Sequence, residues 1–250
     1  LRVLVGVTAV AVTAAGGWAA TGSALLDVDH IVVQGAVHTP VDQAVAAAGV
    51  RRGQPMTRLD PGRAARGVDG LPWVARATVE RHWPGSVGIR IVERAPVAVA
   101  PAEGGGSALV DATGRILDQV GSPPAGLAVL AGLPPVGAPG SRLPAEGVAA
   151  VSVAVALPAE LRARTAGVGP ADGAGGAAGG GGGEVELRLA PDGVVRLGRP
   201  EDLARKFDAV RAVLAQVDLR NLAVLDVRRP DSPVLTRRES PTKVSTPRAG

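Results

Sequence analysis

The first hydrophobic signal is continuous rather than periodic. From Val3 to Leu26 the chain carries no charge, and at about 1.5 Å per residue that run is long enough to cross a hydrocarbon core of about 30 Å. It predicts one transmembrane helix over residues 1–26, weakly hydrophobic and rich in Ala, Gly and Thr, with Trp18 at headgroup depth. The small residues from Thr21 to Ala24 also fit a cleaved signal peptide, but the apolar run exceeds the usual length of a signal-peptide core. Arg2 is the one flanking charge, and because residue 1 is Leu rather than Met, a cytoplasmic tail is expected upstream.

Beyond the apolar run the pattern becomes periodic. Val28–Gly35 is β-rich and closed by glycine. Thr39-Pro40 reads as a cap and first helical position, and Gly49 as a helix stop. Asp60, Pro61 and Gly70 repeat the device around a second short helix. The segments WVARATVERHW (Trp73–Trp83) and SVGIRIVE (Ser86–Glu93) read as strands joined across Pro84-Gly85, with Val87, Ile89 and Ile91 on one face of the second. The predicted order over residues 27–96 is β-α-α-β-β.

After Pro96 the strands shorten: PVAVA, then ALVD and RIL around an Ala112-Thr113-Gly114 turn, then LAVLAG. A helix is predicted over Ala145–Arg164, interrupted at Pro158. From Gly167 to Gly183 the chain is nearly all Gly, Ala and Pro, and residues 167–183 are expected to form a flexible loop. A hairpin follows around Pro191-Asp192-Gly193, then a helix over Pro200–Gln216. Its apolar residues Leu203, Phe207, Val210, Val213 and Leu214, with Val217 just beyond, keep helical spacing. LAVLDVR and SPVLT are the last strands, and residues 237–250 form a polar tail expected to be disordered. The fold class is therefore α+β: an N-terminal transmembrane helix, a β-α-α-β-β domain, and over residues 97–236 a β-rich domain with a late helix and final edge strands.

Composition narrows the chemistry. With no cysteine, disulfide scaffolds, thiolate nucleophiles, iron–sulfur clusters and Cys-containing zinc sites are excluded. Four aromatic residues, Trp18, Trp73, Trp83 and Phe207, leave the core to Val, Leu and Ala. The net charge of +4 is spread as arginines interspersed with acids, without the aromatic platforms that accompany nucleic-acid binding, so no nucleic-acid partner is expected. His30, His38 and His82 have no local metal-ligand spacing. Ser240-Pro-Thr-Lys243 spells S-x-x-K, but lies in the tail without the companion motifs of penicillin-recognising enzymes. The glycine runs lack the G-K-[ST] of a phosphate loop, and no G-x-S-x-G elbow occurs. No catalytic residue, cofactor, metal or small-molecule substrate is expected.

In order and spacing, LPWVARATVERHWPGSVGIRIVERAPVAVA (Leu71–Ala100) resembles the Leu-Pro-Trp-Val, Arg/aromatic-Pro and Glu-Arg-x-Pro-Val-Ala runs of the bacterial cell division family FtsQ, also called DivIB. IVVQG and RGQPMTRLD upstream, and LVDATGRIL, APDGVVRLG, the Leu203–Val217 helix and LDVRRPDSPVL downstream, extend that resemblance over Leu25–Thr236. The resemblance implies a POTRA domain followed by an FtsQ-type β domain. It implies a single-pass type II protein of the cytoplasmic membrane at the division septum, with both domains extracytoplasmic. It further implies a non-enzymatic divisome scaffold for the coiled-coil division proteins FtsB (DivIC) and FtsL, which add a strand to the edge of the β domain. On this chain that edge maps to Arg228, Arg229, Asp231, Ser232, Pro233, Val234 and Leu235. Strand addition needs unpaired backbone groups, and because proline removes a donor, Pro230 and Pro233 are expected either to shorten the available register or to mark an edge protected against pairing. The sequence fits two other readings less well. A POTRA-containing export or assembly factor handling polypeptides lacks the barrel strands such factors serve, and an anchored hydrolase lacks convergent Ser, His and Asp. Trp73 and Trp83 are expected to fill core at either end of a strand, and Glu93-Arg94 to form an ion pair fixing the turn into the second domain.

Overall fold

The computed structural model describes residues 26–171, 183–217 and 222–237, so the predicted membrane segment, apart from Leu26, lies outside the described residues. So do most of the glycine-rich stretch and nearly all of the tail. Among the described residues no helix is long and apolar enough to cross a membrane. The chain divides into two compact units between Ala95 and Pro96, each of mixed α and β structure.

The first unit has the predicted order: β1 (His30–Gln34), α1 (Val41–Ala48), α2 (Pro61–Asp69), β2 (Val74–His82) and β3 (Ser86–Glu93). β3 is central in a three-stranded sheet, parallel to β1 and antiparallel to β2. Alternation along β3 buries Val87, Ile89 and Ile91 with at most 3% exposed. They join Ala44, Ala48, Met56, Ala64, Val68, Val74 and Val79 in one core under the two helices. Burying each of the larger side chains contributes about 1.5–3 kcal/mol. The opposite face, with Val32, Thr78, Glu80 and Arg90, is open to solvent.

Capping follows the sequence at α2, where Asp60 Oδ1 accepts from the backbone N–H of Arg63 at 3.1 Å and Pro61 opens the helix. Gly49 ends α1 in the left-handed conformation at φ 64°. At the start of α1 the expectation is corrected. Pro40, not Thr39, is the capping position, because the Thr39 N–H and its two predecessors point at the carboxylate of Glu93. Trp73 is buried as expected, but Trp83 is 52% exposed. It lies in the hairpin turn beyond the end of β2, where Arg81 covers its ring at 5.9 Å in place of a core.

The second unit contains two sheets. β4 (Pro96–Pro101), β5 (Ser107–Asp111), β6 (Ile116–Val120) and the short β7 (Ala128–Val129) form one, in the order β6-β5-β4-β7. α3 (Ala145–Ala156) and α4 (Ala159–Arg162) then lead into β8 (Thr165–Pro170), β9 (Val185–Leu189), β10 (Val194–Gly198), α5 (Leu203–Leu214), β11 (Leu222–Asp226) and β12 (Val234–Arg237). The second sheet runs β12-β11-β10-β9-β8. β10 and β11 are parallel, as the intervening α5 requires, and β12 returns antiparallel to β11. α5 buries Phe207, Val210 and Leu214, and Pro158 separates α3 from α4 as the sequence predicts.

Two details differ from the sequence reading. LAVLAG contributes only Ala128–Val129 as strand, followed by a bridge from Leu130 to Val168 of β8. The predicted loop over 167–183 begins too early, since Gly167–Pro170 belong to β8. The reason is local. A Cβ on Gly169 would lie 1.8 Å from the Ala131 carbonyl oxygen, and one on Gly167 would lie 2.9 Å from the Ala131 Cβ. These glycines allow two backbones to pass in contact, a use that composition alone cannot distinguish from flexibility.

Candidate partner-binding edge

The residues singled out from sequence fall at one end of the five-stranded sheet, where they serve different purposes. Val234 and Leu235 lie on β12, whereas Arg228, Arg229, Asp231, Ser232 and Pro233 make the connection from β11. Pro230 and Pro233 both precede β12, so neither interrupts its pairing with β11, which runs from Asp226↔Val234 to Leu222↔Arg237.

β12 is the outermost strand of its sheet, and among the described residues no strand pairs with its outer side. The corresponding outer strand of the other sheet differs. The N–H and C=O of Ile116 in β6 are taken by Ser141 and Gly140, at 2.9 and 2.8 Å, and Gln119 Nε2 donates to the Gly137 carbonyl at 3.0 Å. A covered edge cannot template a further strand, and an open one can.

Side-chain alternation gives β12 two faces. Leu235 packs against the core of the second unit, while Val234 is 62% exposed. Beside Val234 is a concavity of about 500 Å³ lined by Asp226, Arg228, Arg229, Ser232 and Val234. Its rim is built by a two-residue clamp. Arg228 Nε donates to Asp226 Oδ1 and Oδ2 at 3.1 and 3.0 Å, Nη2 donates to Oδ2 at 2.6 Å, and the Arg228 backbone N–H donates to Oδ1 at 3.0 Å. The Arg228 side-chain hydrogen bonds hold the Asp226 carboxyl below the usual carboxylate range, and Asp226 in turn raises the Arg228 guanidinium. Both groups stay charged and fixed in orientation.

The clamp depends on Gly198, whose φ of 69° and missing Cβ leave room for the Arg228 stem; a Cβ there would lie 2.9 Å from Arg228 Cγ. On the other flank, Arg205 of α5 donates to Asp231 at 2.8 Å, an exposed pair that tethers the connection to the helix. Sequence reasoning missed Asp226, Gly198 and Arg205. The first has a readable signal, opposite charges two residues apart at the end of a strand, hence on one face. The other two are brought in only by the fold.

Among the described residues no group of three or more His, Asp and Glu is placed to hold a metal ion. Similarity to known proteins covers both units in order. Residues 26–94 match the model of the FtsQ-type POTRA domain, and residues 98–228 match that of the C-terminal region of cell division protein FtsQ/DivIB. That second match ends at Arg228, so the connection from Arg229 onward and β12 lie beyond it. The chain is similar to the cell division protein FtsQ of Corynebacterium glutamicum, 33% identical over 108 residues, covering 43% of this chain and 48% of the relative. It is also similar to that of Streptomyces griseus, 29% identical over 218 residues, covering 86% of this chain and 99% of the relative. A third, from Salinibacter ruber, is 39% identical over 89 residues, 35% of this chain and 31% of the relative. The match thus spans about half the length of the Corynebacterium relative and nearly all of the Streptomyces griseus one. With both matches in sequence order and the second covering more than half of the chain, this protein belongs to the FtsQ/DivIB family of cell division proteins.

Proposed function

We propose that the chain is a non-enzymatic scaffold of the bacterial divisome, anchored in the cytoplasmic membrane by residues 3–26 with both units outside it. In this reading it links FtsB/DivIC-like and FtsL-like proteins during septum formation, and a partner segment adds as a strand to the outer side of β12. The observation that carries the mechanism is the open edge itself: β12 has no neighbour on its outer side among the described residues, while β6 is engaged at Ile116 by Gly140 and Ser141. Main-chain hydrogen bonds along such an edge supply affinity, and the side chains flanking it supply selection. Here those are Val234 and the Asp226–Arg228 clamp, with Arg229 and Ser232 lining the same concavity. Depletion of the protein in its host tests the role: cells that elongate without completing septa support it, and normal septation during depletion contradicts it.

A further inference from the structure

The helical side of the first unit carries an unbalanced charge that its core does not need. Arg51, Arg52, Arg58, Arg63 and Arg66 are all exposed. Arg58, Arg63 and Arg66 line a concavity of about 620 Å³ between α1 and α2, together with Gln54 and Asp60. Asp60 is the one carboxylate in that lining, and its Oδ1 accepts from the N–H of Arg63 as the cap of α2. Among the described residues none of the five guanidinium groups takes part in a salt bridge. Five like charges within sixteen residues repel one another, and in the concavity the single carboxylate of Asp60 faces three of them.

The position of this cluster in the fold indicates what compensates it. The chain enters the first unit at Leu26, the last residue of the apolar run. It is stitched at once to the segment between Arg52 and Arg58: the Val28 N–H donates to the Gln54 carbonyl at 2.9 Å, the Gly53 N–H donates to the Val28 carbonyl at 2.9 Å, and Asp27 bridges to Pro55. Val28 lies two residue steps from Leu26, about 7 Å of extended chain. The cluster is thus held at the end of the unit where the apolar run arrives.

We propose that the Arg51–Arg66 face docks on the anionic phospholipid headgroups of the membrane that residues 3–26 cross, so that the first unit rests against the bilayer surface. The inference relies on the anchor reading given above. Basic residues next to a membrane segment are drawn to anionic lipid over roughly a Debye length, about 10 Å at 0.1 M salt, which is within reach of the short tether. Arginine suits this surface because its planar fork pairs two donors with one phosphate.

The chain has no cysteine, so Thr57→Cys, exposed within the cluster, gives a single labelling site for an environment-sensitive dye. The labelled full chain is reconstituted into vesicles of phosphatidylcholine alone or with about one third phosphatidylglycerol, each with a headgroup-linked quencher. The expected result is at least twofold stronger quenching in the anionic vesicles. It should be lost at 0.5 M NaCl and in the Arg58→Gln/Arg63→Gln/Arg66→Gln variant, whose circular dichroism matches wild type because all three side chains are exposed. Equal quenching in both vesicles overturns the proposal, as does an equal dye response to soluble polyglycerol phosphate, which would assign the face to a phosphate polymer. Flotation separates the two readings. Floating with both vesicles supports the anchor whatever the dye reports. Floating only with anionic vesicles, with salt-sensitive quenching, supports the arginine face and contradicts the anchor.

Discussion

The carboxylate of Glu93, the last residue of β3, lies 2.9 Å from the Nδ1 of His38, across 55 positions of sequence. The same carboxylate accepts backbone N–H groups from Val37, His38 and Thr39 at 2.8–3.0 Å, and the His38 ring stacks on Trp73 with centroids 4.2 Å apart. One half-buried acid thereby closes the connection between β1 and α1 onto the end of the central strand. Arg94 beside it donates from Nε to the Val74 carbonyl at 2.9 Å, which secures the start of β2. Glu93 and Arg94, expected from the sequence to form an ion pair fixing the turn into the second domain, therefore have partners inside the first unit.

A pH dependence follows from this cluster. Burial pushes the Glu93 carboxyl up, but the His38 ring and the N–H groups of His38 and Thr39 outweigh it and hold the group at about 2, below its ordinary 4.5. The folded value is depressed, so the stabilisation is fully present above the unfolded value and is lost as pH falls through the folded one. Stability of the first unit should decline between about pH 4.5 and pH 2, and Glu93→Gln should flatten that decline while costing about 1.5–3 kcal/mol at pH 7. Urea titrations from pH 7 to pH 2, followed by tryptophan fluorescence in a Trp83→Phe background, read both effects. An unchanged slope in Glu93→Gln contradicts the assignment.

Glycine substitutions should separate close approach from mere flexibility. Gly169→Ala and Gly67→Ala place a Cβ 1.8 Å from the Ala131 oxygen and 2.1 Å from the Ala47 oxygen, respectively. Each should lower stability by about 1–3 kcal/mol through overpacking. Gly121→Ala meets nothing within 4 Å and has no left-handed φ, so it should be neutral. Thermal melts of the three variants side by side decide the matter.

The tryptophans offer a second contrast. Trp73, 9% exposed and stacked on His38, should cost about 3–5 kcal/mol when replaced by Ala. Trp83→Ala, at 52% exposed, should stay within about 0.5 kcal/mol. Similar losses from both would restore the sequence-level expectation that the two residues share one role.

At the candidate edge, stability and binding should come apart. Asp226→Asn frees Arg228 from its bidentate partner and should weaken partner binding several-fold, with a stability change of about 1 kcal/mol or less, since Arg228 is half exposed. Arg205→Ala breaks a pair exposed on both sides and should change stability by less than about 0.5 kcal/mol. Calorimetric titration of each variant, with its melt, tests the distinction.

The elements legible in the sequence were those whose signal is local. The β-α-α-β-β order came from Asp60-Pro61, Gly49 and the alternation of Val87, Ile89 and Ile91, each a short-range cue that the fold retains. The hairpin at Ala112-Thr113-Gly114 is likewise local, with Asp111 Oδ1 accepting from the Thr113 and Arg115 N–H groups at 2.8 Å. What failed depends on partners far away in sequence. Pro40 takes the capping position while the Thr39 N–H is held by Glu93, Gly167 and Gly169 serve a contact with Ala131, and Trp83 extends past the strand that would have buried it. The candidate edge shows the same division. SPVLT marks a strand, but that its outer side is open while the edge at β6 is closed by Gly140 and Ser141 is a property of the assembled sheets.

The central claim is strand addition at β12, and one titration tests it most directly. The full chain in detergent micelles is titrated with the exported segments of the host's FtsB-like and FtsL-like proteins, beside Val234→Pro and Arg248→Ala. Proline at 234 removes a backbone donor from β12, whereas residue 248 lies in the terminal tail. The account predicts saturable binding to wild type and Arg248→Ala, and its loss in Val234→Pro with the circular dichroism spectrum retained. Binding of equal strength to all three proteins would contradict it.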